Sequence, residues 1–273
     1  MRVGQAVDSG ESVLRDAGIA TPRVDAEWLV GAAVGLSRSE LYANSDRAIT
    51  DDEVRSYERS LERRRSREPL AYVLGEWGFR RLTLKVDPRV LVPRPETEVV
   101  VGRCLELIRD VAEPSVLDVG TGSGAIALAI ADEHPGARVT AIDVSADALA
   151  IAGDNANATG LTVTFAQHDV RDGLEGTYDL VVSNPPYVRA EELAALEPEV
   201  RDWEPREALL DDGQTEALAG AAHDVLAPDG VLVLEIHEAR SEETHTLLES
   251  LGYRVRISVD LAGRDRVVEG RRT

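Results

Sequence analysis

"SVLDVGTGSGAIALAIADEH", Ser115 to His134, decides the fold. A short apolar run is followed by alternating glycines and then by a longer, alanine-rich apolar run. The first reads as a strand buried on both faces and the second as a buried helix. The glycines between them mark a turn that needs backbone freedom. The pattern continues downstream. "ARVTAIDV" reads as a strand, "SADALAIAGDNANATG" as a helix, and "TVTFAQHDV" and "YDLVVSN" as two more strands. "TEALAGAAHDVLAPDG" is helical and "VLVLEIH" is a further strand. Apolar strands alternating with helices predict an α/β domain whose parallel sheet is covered on both faces. "YRVRISVDLAGRDRVVEG" closes the chain as a hairpin.

Upstream the texture differs. Residues 1–74 read as helices with no convincing strand. "TPRVDAEWLVGAAVG" sets Val24, Trp28 and Leu29 at helical spacing behind Pro22. "TDDEVRSYERSLERRR" opens with Thr50 and Glu53 at the spacing of a capping box. Acidic residues fill its first turn and arginines its last, as the helix dipole favours. The arginines from Arg63 to Arg67 are either a solvated helix end, the expected reading, or a binding patch. Residues 75–95 alternate apolar with polar residues, broken by Gly and Pro, and read as a hairpin or linker. Pro93 and Pro95 turn the chain into a helix near Glu96. The expected domains are thus 1–74, 75–95 and 96–273.

The formal charge of −20 (30 basic, 50 acidic residues) disfavours a dedicated nucleic-acid binder or a partner of anionic membranes. Lys85 is the only lysine, which reads as a composition bias. Cys104 is the only cysteine, so an intrachain disulfide is excluded and a thiolate zinc site is not expected. His134, His168, His223, His237 and His245 show no metal-ligand spacing, and no metal is expected. The start lacks the apolar core of a signal peptide, and no apolar run is long enough to span a bilayer. A cytoplasmic setting is expected.

Gly120, Gly122 and Gly124 can adopt positive φ and let a ligand approach the backbone. The following helix presents free N–H groups, and Asp143 ends the next strand where a ribose diol could be gripped. Gly120, Gly122 and Ala125 also fit a dinucleotide fingerprint, and a structural turn is a third option. Asp118 favours a methyl donor. A carboxylate there would repel a pyrophosphate but suits the cationic end of S-adenosylmethionine.

"DLVVSNPPYV", Asp179 to Val188, ends a strand in a rigid polar elbow. Ligands of parallel sheets bind at this end of the strands. A planar amide or aromatic amine is a poor nucleophile until its nitrogen becomes pyramidal. The Asn184 side-chain oxygen and the Pro185 carbonyl could hold both of its hydrogens and stabilise the developing positive charge. The prolines stiffen that carbonyl, and Tyr187 offers a face for stacking. Asn184, Pro185 and Tyr187 are the expected catalytic group, with Pro186 completing the substrate contact. A dehydrogenase has no use for such an elbow.

"EPLAYVLGEWGF", "VLVPRPETE", "VLDVGTGSGAIALAIA", "YDLVVSNPPYV", "EPEVRDWEPREAL" and "GRDRVVEGRR" together resemble the release-factor glutamine methyltransferases, the PrmC/HemK family. The resemblance covers essentially the whole chain. It implies a seven-stranded Rossmann-like class I methyltransferase domain behind a small all-α domain and a hairpin linker. It implies methylation of the glutamine amide in the Gly-Gly-Gln loop of class I peptide-chain release factors, docked by the N-terminal domain of a monomer. Donor contacts carry over to Gly120, Thr121, Gly122, Ser123 and Gly124, to Asp143 and to Asn184. Substrate contacts carry over to the Asn184–Tyr187 elbow. Asp169 and Val170 would meet the adenine, where the family often has Trp or Leu after the aspartate. Thr215 and "EIHEAR" also depart from the family's pattern, at the pocket rim.

Three rival readings remain. A ribosomal-protein glutamine methyltransferase has the same chemistry, but "PRPETE" and "EPLAYVLG" favour the release-factor branch. A nucleic-acid amino-group methyltransferase acting on adenine N6 or guanine N2 would need a basic face to hold a flipped base. A non-catalytic binding protein would not be expected to keep the elbow intact. Glu96 and Glu98 could cover the donor pocket or merely suit the helix dipole. His237 beside Glu235 reads as a rim histidine, and Cys104 as core.

Overall fold

The computed structural model describes residues 1–272; Thr273, the last residue assigned above to the methyltransferase domain, lies outside them. The described residues form two compact units, one of residues 1–76 with 197–203, the other of residues 77–196 with 204–272.

The first unit holds α1 (Val3–Asp16), α2 (Pro22–Val34), α3 (Arg38–Ala43), α4 (Asp51–Arg65) and α5 (Leu70–Leu74). Its core is built from Val3, Val7, Leu14, Leu29, Val30 and Tyr57. Gly10 lets α1 approach α4 closely, since a Cβ there would lie 2.2 Å from the Tyr57 hydroxyl. Thr50 and Glu53 form the expected capping box. Leu29 is buried, whereas Val24 and Trp28 lie on the outer face of α2.

The arginine run is a solvated end only in part: Arg63 and Arg65 are exposed, whereas Arg64 and Arg67 turn inward. Arg64 is buried, with Nε 2.7 Å from Asp25 Oδ2 and Nη1 2.9 Å from Glu199 Oε1. Arg67 adds a 2.6 Å contact to Glu199 Oε2, and Arg63 pairs with Glu68 at 2.5 Å. Burial pushes the Glu199 carboxyl up, but hydrogen bonds from Arg67 and Arg64 outweigh it, and the group lies below the usual carboxylate range. A buried arginine tolerates desolvation only with such partners. Glu199 lies in α9 (Pro198–Arg201), which explains why residues 197–203 belong with the helices.

The hairpin pairs β1 (Glu76–Phe79) with β2 (Leu82–Lys85). Then follow α6 (Pro95–Ile108), β3 (Ser115–Val119), α7 (Ala125–Glu133), β4 (Arg138–Asp143), α8 (Ala146–Thr159), β5 (Thr164–Gln167) and β6 (Tyr178–Ser183). After α9 come α10 (Gln214–Val225), β7 (Leu226–Glu235), α11 (Ser241–Ser250), β8 (Tyr253–Val259) and β9 (Asp265–Arg272). The seven-stranded sheet has the order β5-β4-β3-β6-β7-β9-β8, parallel except for β9, which runs antiparallel to both of its neighbours. This is the expected Rossmann-like architecture with its closing hairpin.

Side chains alternate across the strands, as the pleat requires. Val116, Leu180, Val182, Val231 and Val233 pack against α6 and α7 on one face. Leu117, Val181, Leu232 and Leu234 pack against α10 and α11 on the other. β5 is shorter than "TVTFAQHDV" suggests. It is an edge strand with mostly exposed side chains, and Asp169 accepts from the Arg171 amide at 2.9 Å, turning the chain at Val170. The chain order reverses between β3 and β6, and ligands of open α/β sheets bind in the crevice at such a point.

Candidate active site

A cavity of about 180 Å³ lies at the carboxyl ends of β3, β4 and β6. The glycine loop forms one wall. Gly120 and Thr121 both donate to the Ile142 carbonyl, at 2.9 and 3.0 Å. Gly120, Gly122 and Gly124 have φ of +72°, +55° and +82°, the left-handed region that β-carbons resist. A Cβ on Gly120 or Gly122 would meet no protein atom within 4 Å, since both face the cavity. At Gly124 it would lie 3.0 Å from Leu128 and 3.2 Å from Ala152. Gly120 and Gly122 thus leave room for a ligand, and Gly124 for the protein's own packing.

Thr121 and Ser123 line the same wall, while Gly124 caps α7 behind it. Asp143 faces it. One Asp143 oxygen accepts from the Gly122 amide and the other from the Ser145 amide, each at 2.9 Å. Burial raises its pKa against those two bonds. Each oxygen keeps a lone pair for a ligand hydroxyl. Asp169 and Val170 line the cavity too.

Asp118 lies behind the wall and does not line it. It is fully buried; its Oδ2 accepts from the Thr121 hydroxyl at 2.6 Å and the Ala127 amide at 3.2 Å. Its Oδ1 has no partner, and burial pushes the carboxyl up to about 7. A buried, half-partnered carboxylate invites a cation or a proton.

Asn184, Pro185 and Pro186 line the cavity from the elbow. The preceding Ser183 ties β6 to β3 by donating to the Val119 carbonyl at 2.7 Å. On the far side Val188 donates to Leu209 and accepts from Asp211, both at 3.0 Å, so the elbow is fixed at each end. Tyr187 stands outside the lining, its ring centroid 6.0 Å from that of His237. Burial raises the Tyr187 pKa, so it carries no charge at neutral pH.

Some lining residues were not among the expected ones. Arg94, Thr97, Glu207 and Gln214 face the cavity, whereas Glu96, Glu98 and Thr215 do not. Glu98 instead accepts from the Arg80 amide at 2.9 Å. Arg94 is held by Glu204, with both carboxylate oxygens 2.6 Å from Nη2. The sequence signal for Thr97 was there to read: a hydroxyl in the first turn of a helix entered through two prolines. Glu235 carried another, a carboxylate ending an otherwise apolar strand. Cys104 is buried and its thiol pKa is raised by that burial, which fits a core residue.

Comparison with known proteins identifies relatives along the whole chain. Residues 5–75 match the model of the PrmC N-terminal domain and residues 103–199 that of the methyltransferase small domain. A release factor glutamine methyltransferase of Deinococcus radiodurans is 40% identical over 279 aligned residues, covering 100% of this chain and 99% of the relative. That of Chlorobaculum tepidum is 42% identical, covering 90% and 88%. Among solved structures, the T. thermophilus 16S rRNA N2 G1207 methyltransferase, in complex with AdoMet and guanosine, is 19% identical with a TM-score of 0.55, covering 72% of this chain and 50% of that one. That last likeness concerns the fold.

Proposed function

The chain belongs to the release factor glutamine methyltransferase family, and on that premise we propose that it methylates the glutamine side-chain amide of the Gly-Gly-Gln loop in class I peptide-chain release factors, with S-adenosylmethionine as donor. The cavity fits this donor in two respects. Gly120 and Gly122 leave open space where side chains would stand. Asp143 keeps lone pairs for a ribose diol. Asp118, behind the wall, does not touch the cavity but holds the loop through the Thr121 hydroxyl and the Ala127 amide. When bound, the sulfonium supplies an electrophilic methyl group and leaves as a thioether.

The protein's own residues prepare the acceptor. Asn184 Oδ1 and the Pro185 carbonyl take the two hydrogens of the substrate amide. Held so, the nitrogen turns pyramidal and its lone pair points away from the two acceptors. The same oxygens stabilise the positive charge that grows as the N–C bond forms. One of those protons then leaves to water, so no strong base is needed. Positioning supplies most of the remaining acceleration.

One observation carries this reading: the Asn184 side chain is tied at its nitrogen and faces the donor cavity. The helical unit, whose residues 5–75 match the family's N-terminal domain, would dock the release factor. On this reading the enzyme works in the cytoplasm as a monomer, and its formal charge of −20 disfavours direct nucleic-acid contact. Among the described residues no helix is long and apolar enough to cross a membrane. The test is mass spectrometry of the Gly-Gly-Gln peptide after incubation with S-adenosylmethionine. One added methyl on the glutamine, absent with Asn184→Ala, is expected. An unmodified glutamine despite donor binding would reject the reading.

A further inference from the structure

The two ends of the Asn184 amide differ little in shape, so packing alone cannot decide which one faces the substrate. Hydrogen bonding can. Asn184 Nδ2 lies 3.2 Å from Thr97 Oγ1, and the Thr97 hydroxyl donates to Glu235 Oε2 at 2.6 Å. A threonine has a single hydroxyl proton. With that proton committed to Glu235, Thr97 can only accept from Asn184. The amide nitrogen is thereby fixed inward and the oxygen is left as the free end.

We propose that Thr97 and Glu235 are positioning residues that set the polarity of the Asn184 amide for methyl transfer. The proposal rests on the role given to Asn184 above. A substrate amide brings two N–H groups to the site, and only an acceptor can hold them. A flipped Asn184 would set donor against donor and leave buried groups unpaired.

The fold builds the relay from three distant segments. Ser183 pairs with Leu234 in the parallel register of β6 and β7, so Asn184 and Glu235 are the next residues along neighbouring strands. Thr97 enters between them from the first turn of α6, after Pro95 has set the entry. Glu235 is 1% exposed. A carboxylate so buried costs stability beyond what its hydrogen bond from Thr97 returns, a cost that a functional role would explain.

Burial pushes the Glu235 carboxyl up to about 7, with Thr97, Arg266 and Arg94 opposing and Glu96 assisting. Arg266 comes from β9, Arg94 and Glu96 stand at the start of α6, Tyr187 lies on the elbow, and His237 follows β7. Ionised, Glu235 can only accept, and the relay runs from Asn184 inward. Protonated, it can donate to Thr97, which then turns its own proton on the Asn184 oxygen. The relay reverses. Turnover therefore falls as pH drops through the range in which Glu235 titrates.

The experiment is steady-state methylation of a release factor at saturating donor, across pH, by wild type, Thr97→Val, Thr97→Ser and Glu235→Gln. Thr97→Val should lower kcat about 10- to 100-fold, with a much smaller change in donor KM. Thr97→Ser, which keeps the hydroxyl, should recover most of that loss. Glu235→Gln should lower kcat at high pH and flatten its acid limb, because no carboxyl remains to reverse the relay. Wild-type kcat in Thr97→Val, equal losses in Ser and Val, or an unchanged acid limb in Glu235→Gln would each overturn the relay. If Thr97→Val fails to fold, the pH profiles of Thr97→Ser and Glu235→Gln decide. A wild type unable to methylate, or an active Asn184→Ala, would instead remove the role of Asn184 and the relay with it.

Discussion

The glycine loop and the proline elbow face the same cavity but are made by different means. The loop is main chain: positive φ, amides tied to the Ile142 carbonyl, and open space where side chains would be. The elbow depends on one amide whose orientation is set by Thr97 and Glu235. A methyl donor presents much the same shape and charge whatever the acceptor, so a backbone cradle serves it. An acceptor nitrogen must be held by particular atoms, so side chains of fixed polarity serve it. Substitutions should therefore fail differently on the two sides.

The largest effect is expected at Asn184. Replacement by Ala removes a preorganised acceptor for developing charge and should lower kcat by roughly 10²–10³ while donor binding, measured by calorimetry, persists. Equal losses of both would break the comparison. Next comes Gly124→Ala. A Cβ at φ +82°, 3.0 Å from Leu128, should destabilise the fold by about 2 kcal/mol in chemical denaturation. Gly120→Ala carries similar φ strain without the clash, so it should destabilise the fold less and, with its Cβ in the cavity, lower donor affinity as well.

The third effect concerns Asp118, whose carboxyl is raised to about 7 by burial. A folded pKa above the unfolded one means that the native state keeps its proton longer. Its contribution to stability is therefore present in acid and lost as pH rises from the ordinary aspartate range to about 7. Chemical denaturation across pH should show that contribution disappearing as the pH approaches about 7, and Asp118→Asn, which has no carboxyl to titrate, should remove the slope. The smallest effect is Val170→Leu, where one more buried methylene should tighten donor binding about fourfold.

What could be read from the sequence was what local chemistry enforces. Positive φ requires glycine, so Gly120 to Gly124 announced their loop. Strands buried on both faces read as apolar runs, and the Asn184–Tyr187 elbow is contiguous. The relay was not legible, because its members lie 87 and 138 residues apart in its two links. Arg64 looked like a solvated helix end because its partners, Asp25 and Glu199, lie 39 and 135 residues away. Glu96 and Glu98 drew notice for their charge, yet Thr97 between them is the residue facing the cavity. In each case sequence displays a residue's type, whereas burial and partnership come from the fold.

The course of the chain bears on how such a protein could be inherited. It passes between its two units at 76–77, 196–197 and 203–204. A module joined through one linker can be gained or exchanged by a single recombination event. Here an exchange of residues 1–76 would leave Glu199 without Arg64 and Arg67, in a short segment that begins ten residues after Tyr187. Residues 1–76 and 197–203 are thus constrained to change together, and a chimera would need a matched 197–203 insert to keep those pairs.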